Sequence, residues 1–364
     1  MEYRWIEDIG EFRAISKEWD DALLSSKSDS PFFLSDFILS WWGPYSRNLK
    51  LKIFVLTEGD AIVGGLPLCQ DRLGLLECPG RIAANYTEPF CLKDGLIFWE
   101  HFFEALGELR GWRRIQVSRL RAGRFDIDGL RAVSAKKGSL LCDISEDGCS
   151  YLIDIPQDFS GYIASLPKKL RYYIKRSDEG LSGRGDVELR SYKTLDEVNA
   201  LADTFIGFSR ASFKGRKRIS AFESEAYCLF FKELINRFCA KGYLDANALT
   251  LDGRAIAIHF GYLFGNNLNY VFPAFDIDLA DLNPGHLMIY KLIELGSKRG
   301  NKFLDMYTGH QFYKEQWSQH KDSILRIEIR PNDVLCRVER RASKLLRDVK
   351  SSPVAARAMN HLRR

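Results

Sequence analysis

A chain of 364 residues exceeds what one hydrophobic core usually spans, so its length predicts two domains, or one long domain with an embellished edge. With 46% hydrophobic and 28% charged residues it is an ordinary globular sequence, which excludes a disordered, fibrous or disulfide-scaffold class. The net charge is +5, but residues 337–364 hold nine basic and two acidic residues, a net of +7, which leaves −2 for everything before them. The basicity belongs to the tail, and a folded face spread with positive charge for a long nucleic acid is not expected.

Eight cysteines (Cys69, Cys78, Cys91, Cys142, Cys149, Cys228, Cys239, Cys336) are scattered without a C-x-x-C pair and without a histidine at zinc-finger spacing. They read as reduced or buried thiols, and no metal site is expected. The first residues have no basic stretch followed by an apolar run, and no run of 18 or more apolar residues occurs. A cytoplasmic protein is the expectation.

In chain order, a short strand over 3–6 precedes an amphipathic helix over 9–24, whose apolar residues Ile9, Phe12, Ile15, Trp19, Ala22 and Leu23 follow helical spacing. Strands over 51–57 and 61–69 are joined by Glu58-Gly59-Asp60, a hairpin turn by composition. Short strands near 73–78 and 114–118 flank a helix over 96–109. A break is expected at 145–150, where Glu146-Asp147-Gly148 interrupts the pattern, with strand character resuming at 151–155. The second unit then reads as a basic helix (165–180), a strand (187–192) and two helices (195–209 and 222–241). Three strands follow (243–250, 255–264 and 268–275), linked by Leu251-Asp252-Gly253-Arg254 and Gly265-Asn266-Asn267, both of turn chemistry. A helix opening at Asn283-Pro284-Gly285, a strand (302–306), a short helix (312–317), a strand (324–329) and a basic terminal helix complete the chain. The two halves share one plan: strand, helices, a hairpin ending in an apolar strand, a helix and further strands.

A loop ending in Asn283-Pro284-Gly285 leaves the unpaired N–H groups and positive dipole end of a helix facing outward, an arrangement that can hold a pyrophosphate. Proline at a first helical position is also a generic helix start, so this spacing does not decide the matter alone.

The order of blocks decides more. They are Lys168-Lys169-Leu170-Arg171 with Lys175-Arg176; Arg210-Ala211-Ser212-Phe213-Lys214-Gly215; the Asp252-Gly253 turn before Ala255-Ile256-Ala257; Phe275-Asp276 leading to Asn283-Pro284-Gly285; and Phe303-Leu304-Asp305 with Gly309 and Tyr313-Lys314-Glu315-Gln316-Trp317. In this order they resemble the GNAT-type acetyltransferase-like family linked to bacterial cellulose and capsule synthesis (the CelD/BcsL type), itself related to the Fem-type aminoacyl transferases. Two departures stand out. Phe213 replaces the family's usual tryptophan, and Asn283-Pro284-Gly285 replaces both the family's Ser-Pro-Gly and the glycine-rich phosphate loop of ordinary GNAT enzymes. The first half is also similar to the family's amino-terminal part, notably Ile62-Val63-Gly64-Gly65-Leu66-Pro67-Leu68.

The resemblance implies an α/β (α+β) fold of tandem GNAT-like domains, each a mixed, mostly antiparallel sheet flanked by helices, with domains at 1–150 and 151–330 and a basic C-terminal helix at 331–364. It implies direct acyl transfer from a thioester to an amine, without a covalent enzyme intermediate. That chemistry needs a phosphate grip, a donor to the thioester carbonyl and a base for the ammonium. Asn283, Pro284, Gly285 and His286 are the candidate grip on acetyl-CoA or another acyl-CoA. A backbone N–H on strand 268–275 is the expected carbonyl donor, with Pro273 marking a bulge or splay.

Asp305 interrupts an apolar strand, where burial can raise a carboxylate toward the working pH, so it is the candidate base; a structural hydrogen-bonding carboxylate fits the same pattern. His259, within the strand over 255–264, is a second candidate base or acceptor-binding group, and a core histidine is the competing reading. Tyr313 and Lys314 can hold a leaving thiolate or an anionic acceptor, although Lys314 also suits a solvated helix. Arg210 and Lys214 suit a carboxylate or phosphate on the acceptor, diluted by the neighbouring Arg216-Lys217-Arg218 run.

The expected function is transfer of an acyl group, acetyl first, from acyl-CoA to an amine on a sugar or other polysaccharide precursor. The alternatives are a Fem-like aminoacyl-tRNA-dependent transferase, the one reading that brings in a nucleic acid, and a non-catalytic GNAT-fold partner in polysaccharide synthesis. The tail, with Val338, Leu345, Leu346 and Val349 among arginines, can lie on an anionic membrane surface or pack on its own domain.

Overall fold

Alternating apolar strands and amphipathic helices assemble in two halves. The computed structural model describes residues 1–26, 28–80, 83–215, 218–309 and 311–340. The first half comprises β1 (Glu2–Ile6), α1 (Ile9–Ala14), α2 (Ser16–Ser25), α3 (Ser35–Tyr45), β2 (Lys50–Glu58), β3 (Ala61–Gln70), β4 (Leu75–Glu77), β5 (Phe90–Cys91), α4 (Gly95–Ala105), β6 (Arg114–Arg121), α5 (Ile127–Lys136) and β7 (Leu140–Asp154). The second comprises α6 (Phe159–Ser165), α7 (Lys168–Ser182), β8 (Val187–Tyr192), α8 (Leu195–Gly215), α9 (Glu225–Ala240), β9 (Leu244–Leu251), β10 (Arg254–Phe264), β11 (Asn267–Phe275), α10 (Pro284–Arg299), β12 (Phe303–Thr308), α11 (Phe312–Trp317) and β13 (His320–Pro331).

All strands join one mixed, mostly antiparallel sheet in the order β1-β2-β3-β4-β6-β13-β7-β12-β11-β10-β9-β8, with β5 beside β3. The order is the same from either end once corresponding strands of the two halves are exchanged. At its centre the final strands have crossed over: β13 of the second half pairs with β6 of the first, and β7 of the first half pairs with β12 of the second. β13 and β7 then pair with each other from His320↔Leu152 to Pro331↔Leu140. The parallel contacts correspond as well, Leu75–Glu77 with Arg114–Gln116 in one half and Asn267–Asn269 with Phe303–Asp305 in the other.

Several elements differ from expectation. The break foreseen at 145–150 lies inside β7, which absorbs Gly148 at φ 109° through a register shift against β13. The first helix divides at Ile15, where the Ser16 hydroxyl donates back to the Arg13 carbonyl at 2.9 Å and competes with the helix ladder. The basic helix foreseen at 165–180 is α7, which begins only at Lys168 after Pro167, and the short α6 before it was not foreseen. α9 begins only at Glu225, where Ser224 caps the Tyr227 N–H. α3 was not foreseen, because its polar residues Ser35, Asp36 and Ser40 are buried and it carries Pro44.

One core fills the first half and continues beneath α8 and α9. A second lies on the opposite face of the second half's strands, beneath α7 and α10. Residues 341–364, most of the expected basic terminal helix, lie outside the described residues, as do Arg216 and Lys217. Just before them, Arg340 pairs with Asp143 on β7 at 2.6 Å and Glu339 with Arg113 at 2.8 Å. Among the described residues, no helix is long and apolar enough to cross a membrane.

Because β13 closes both halves, ending the chain after Ser318 is expected to abolish amide-exchange protection in β6 and β7 together. Retained protection in β6 would show that the first half closes without the exchanged strand.

Candidate active site

The splay between β11 and β12 builds the site. These strands pair only from Asn267 to Asn269 against Phe303 to Asp305, after which they diverge. Beyond Asn269, β11 is laddered to β10 alone, so the N–H groups that it turns toward β12 lie outside the sheet. Of the bulge or splay expected at Pro273 the splay is present, since Pro273 lies in the stretch of β11 that has left β12, while the β10–β11 register shifts at Gly261, where a Cβ would collide with the Asn269 carbonyl and the His259 ring. Pro273 pairs in register with His259.

Asp305 lies at the mouth of this splay. Leu304 and Met306 enter the core beneath α10, so Asp305 points to the other face, toward the first half. There its Oδ1 accepts the Tyr307 N–H at 2.7 Å and the Tyr86 hydroxyl at 3.1 Å. Tyr307 stands at φ 58°, a left-handed conformation uncommon for a bulky residue, beside the register shift between β12 and β7. Its hydroxyl donates to Asn269 Oδ1 at 2.5 Å, tying the two splayed strands. Burial raises the Asp305 carboxyl to about 7, against the Tyr307 N–H, the Arg121 charge and the Tyr86 hydroxyl, which favour the anion.

Arg121 lies over the Tyr86 ring at 4.2 Å and is itself buried. Its fork meets Glu88 at 2.6 and 2.8 Å and Asp29 at 2.6 Å, and Arg124 takes the second Asp29 oxygen at 2.5 Å. Burial opposes the Asp29 charge, but the two arginines outweigh it and hold the carboxyl below its usual value. Asp305, Tyr86, Arg121, Asp29, Asn267 and Asp322 face a cavity of about 240 Å³ that lies between the halves.

The first half carries a counterpart. Gln116 stands beside Glu77 as Asp305 stands beside Asn269, and Arg119 at φ 59° matches the inverted turn of Tyr307. Gln116 lines a larger cavity of about 520 Å³, together with Glu77, Arg119, Asp147, Arg326 and Thr308. An amide replaces the carboxylate there, so this cavity offers no base at the equivalent position.

The remaining predicted residues do not gather at Asp305. His259 is on the opposite face, because Ile258 and Phe260 turn the other way into the first core. It stacks on Tyr270 at 4.8 Å, and neither ring nitrogen has a hydrogen-bond partner of good geometry. Burial drives its pKa down to about 4, although the Asp245 carboxylate and the nearby Asn269 backbone favour the cation. It is a neutral core histidine at physiological pH. Tyr313 packs on that same side, against the second core.

Lys314 is not a solvated helix residue. It is buried, and its ammonium donates to the Met306 carbonyl at 2.6 Å and the Thr308 carbonyl at 2.7 Å, bracketing Tyr307. Burial lowers it to about 8, with Asp305 and Cys149 opposing. Arg210 has a structural task, its Nε and Nη2 donating to the Phe222 carbonyl at 3.0 and 2.7 Å; Lys214 is exposed at the end of α8.

At the start of α10, Asn283 is left-handed at φ 51° and Pro284 occupies the first turn. The Asn283 carbonyl takes the His286 N–H at 3.0 Å and the Ser177 hydroxyl of α7 at 3.2 Å. His286 lies between Tyr173 and Trp317, stacked at 5.6 and 6.2 Å, and its Nδ1 accepts the Trp317 indole N–H at 3.1 Å, so its ring is held by packing. The nearest atom to a Cβ at Gly285 would be the Phe275 ring at 3.8 Å, which leaves ordinary room beside the helix start. Lys168, Lys169, Arg171, Lys175 and Arg176 on α7 are exposed nearby. Backbone donors at a helix start beside a basic helix suit the phosphates of an acyl carrier.

Residues 168–315 match the family model of the acetyltransferase (GNAT) domain. The splayed pair β11–β12 and the helix α10 between them lie within that stretch. Among solved structures, FemX is similar at a TM-score of 0.62 and 10% identity, over 90% of this chain and 97% of that one. The C-terminal domain (DUF2156) assigned to a lysylphosphatidylglycerol synthetase of Agrobacterium fabrum is similar at 0.55 and 12%, over 88% and 92%. A conserved protein of unknown function from Bacteroides thetaiotaomicron VPI-5482 is similar at 0.53 and 11%, over 90% and 100%. At these identities the likeness shows the fold alone. No curated protein matches the sequence significantly.

Tyr86, Arg121, Asp29 and Asn269 were not foreseen. Arg121 had a weak signal, as a charge ending the alternating strand Ile115-Gln116-Val117-Ser118-Arg119-Leu120; Tyr86 lies in an irregular segment that carries none.

Two stability measurements check this description. The Asp305 carboxyl titrates at about 7 in the folded protein and near 3.8 when unfolded, so its ionisation weakens the fold increasingly as pH rises from about 4 to 7. Asp305→Asn is therefore expected to melt higher than the parent at pH 8 and to lose most of that advantage at pH 4. Lys314→Met leaves two buried carbonyls unpaired and is expected to cost about 2–4 kcal/mol by denaturant unfolding.

Proposed function

We propose that the chain is an N-acyltransferase that moves an acyl group, acetyl by preference, from acyl-CoA to an amine on a sugar or other polysaccharide precursor. The observation that carries the reading is the buried Asp305 carboxyl, the last residue of β12 paired with β11, poised near neutrality and facing a cavity between the halves. The GNAT-domain match over residues 168–315 supports the acyl-transfer class; the sugar acceptor rests on the sequence resemblance.

In this mechanism the Asp305 carboxylate takes a proton from the acceptor ammonium. The freed nitrogen attacks the thioester carbonyl, whose developing oxyanion meets an unladdered N–H of β11. The C–N bond forms, the C–S bond breaks, the second proton on the nitrogen passes to the leaving thiolate to give the free thiol, and the proton on Asp305 passes to solvent. The start of α10 and the basic face of α7 hold the donor's phosphates. We place the division between the two units at 150/151, within the long strand β7 that pairs with both β13 and β12, and the protein in the cytoplasm, where acyl-CoA is available. The exposed basic face of α7 also suits a tRNA backbone, so a Fem-like aminoacyl transfer is the second reading.

Calorimetric titration with acetyl-CoA and longer acyl-CoAs tests the donor, and binding is expected to be lost in Gly285→Trp. Failure of every acyl-CoA to bind, with salt-sensitive tRNA binding instead, favours the second reading. Turnover is expected to rise with pH through about 7, as Asp305 ionises, and to fall by roughly 10²–10⁴-fold in Asp305→Asn. His259→Ala is expected to leave that pH limb in place.

A further inference from the structure

We propose that Tyr86, contributed by the first half, is the positioning residue that orients and tunes the Asp305 carboxyl, so that the base of the second unit is completed by the first. The inference rests on the reading of Asp305 as the base. Its grounds are geometric. The Tyr86 hydroxyl donates to Asp305 Oδ1 at 3.1 Å across 219 residues of sequence, and both groups are buried. With the Tyr307 N–H on the same oxygen, Oδ1 is fixed from two sides, and Asp305 lines the cavity. The Tyr86 ring is itself clamped, edge-to-face on Tyr307 at 4.9 Å and beneath the Arg121 guanidinium at 4.2 Å.

The direction of the hydrogen bond is secure. Burial and the neighbouring Asp305 charge keep the Tyr86 phenol protonated far above neutrality, so it remains the donor whenever Asp305 is ionised. A donor to a carboxylate favours the anion and lowers its titration point.

The other charges around Asp305 are largely paired off or weakened. From β6 comes Arg121, whose fork is occupied by Glu88 and Asp29. Arg124 pairs with Asp29, and Asp322 of β13 lies exposed at the cavity rim. From α11 comes Lys314, held on backbone carbonyls. Tyr86 is the neutral donor that acts on the carboxylate directly from the first half.

The test reads the carboxyl itself. The full-length protein is labelled with aspartate enriched in ¹³C at the side-chain carboxyl, Asp305 is assigned by its absence in Asp305→Asn, and its titration is followed by NMR. Tyr86→Phe, which keeps the ring packing, is expected to move the midpoint up by about one pH unit, and the acid limb of turnover with it, at unchanged KM for acyl-CoA. Site-specific replacement of Tyr86 by 3-fluorotyrosine, a more acidic donor, is expected to move the midpoint down without disturbing the fold. An unmoved midpoint in the fluorinated protein, or in a folded Tyr86→Phe protein, overturns the proposal. A midpoint that moves in a protein showing no acyl transfer overturns the base role of Asp305 and leaves the tuning by Tyr86 standing.

Discussion

The exchange of β7 and β13 at the centre of the sheet is the constraint on which the rest depends. A strand that ends one half but pairs with the other leaves neither half a complete sheet, and its edge hydrogen bonds are satisfied only when both are present. The exchange also fixes the geometry between the halves, since β7 and β13 pair over most of their length. The first half's Tyr86, Arg121 and Asp29 thereby stand against the second half's Asp305 and Asn267. A flexible linker between two closed domains would not hold a 3.1 Å hydrogen bond across that boundary.

Within this frame the electrostatics are arranged to keep one carboxylate uncompensated. Arg121 is close enough to stabilise Asp305, but its fork is spent on Glu88 and Asp29, so desolvation dominates and the carboxyl stays near neutrality. Replacing Glu88 and Asp29 with neutral residues would free Arg121 for Asp305 and drive the carboxyl down, away from the range useful to a base. The buried ionic group is thus best understood by what it withholds from Asp305. Lys314 follows the same logic from the other side, its ammonium drawn onto the carbonyls that bracket Tyr307.

The correspondence between the halves extends to both cavities, and the difference between them is chemical. Asp305 and Gln116 occupy matching places in matching parallel pairs, and Tyr307 and Arg119 share the same inverted backbone conformation. Such conformations persist only where surrounding structure over-determines them, and here they recur where each half meets the exchanged strand. One half places a carboxylate at this position, and the other places the Gln116 amide.

Much of this was legible in the sequence. The hairpins at Asp252-Gly253 and Asn266-Asn267, the helix start at Pro284 and the short helix before Trp317 follow from turn chemistry and apolar spacing, which act over a few residues. Asp305 was identifiable because a carboxylate in an apolar strand is a local anomaly. The helix α3 was not, since its polar residues Ser35, Asp36 and Ser40 turn inward, the reverse of the amphipathic pattern that reveals a helix. His259 and Asp305 looked equivalent as polar residues in apolar strands, and only the register of β10, β11 and β12 sends them to opposite faces. The partners of Asp305 were beyond reach for the same kind of reason. Tyr86 carries no local signal, and its place beside Asp305 is set by strand exchange between segments more than 200 residues apart. Sequence by itself determined the elements and the candidate base, because those depend on short-range periodicity and composition; tertiary structure alone decided which face each side chain meets and what surrounds the carboxylate, because those depend on long-range pairing.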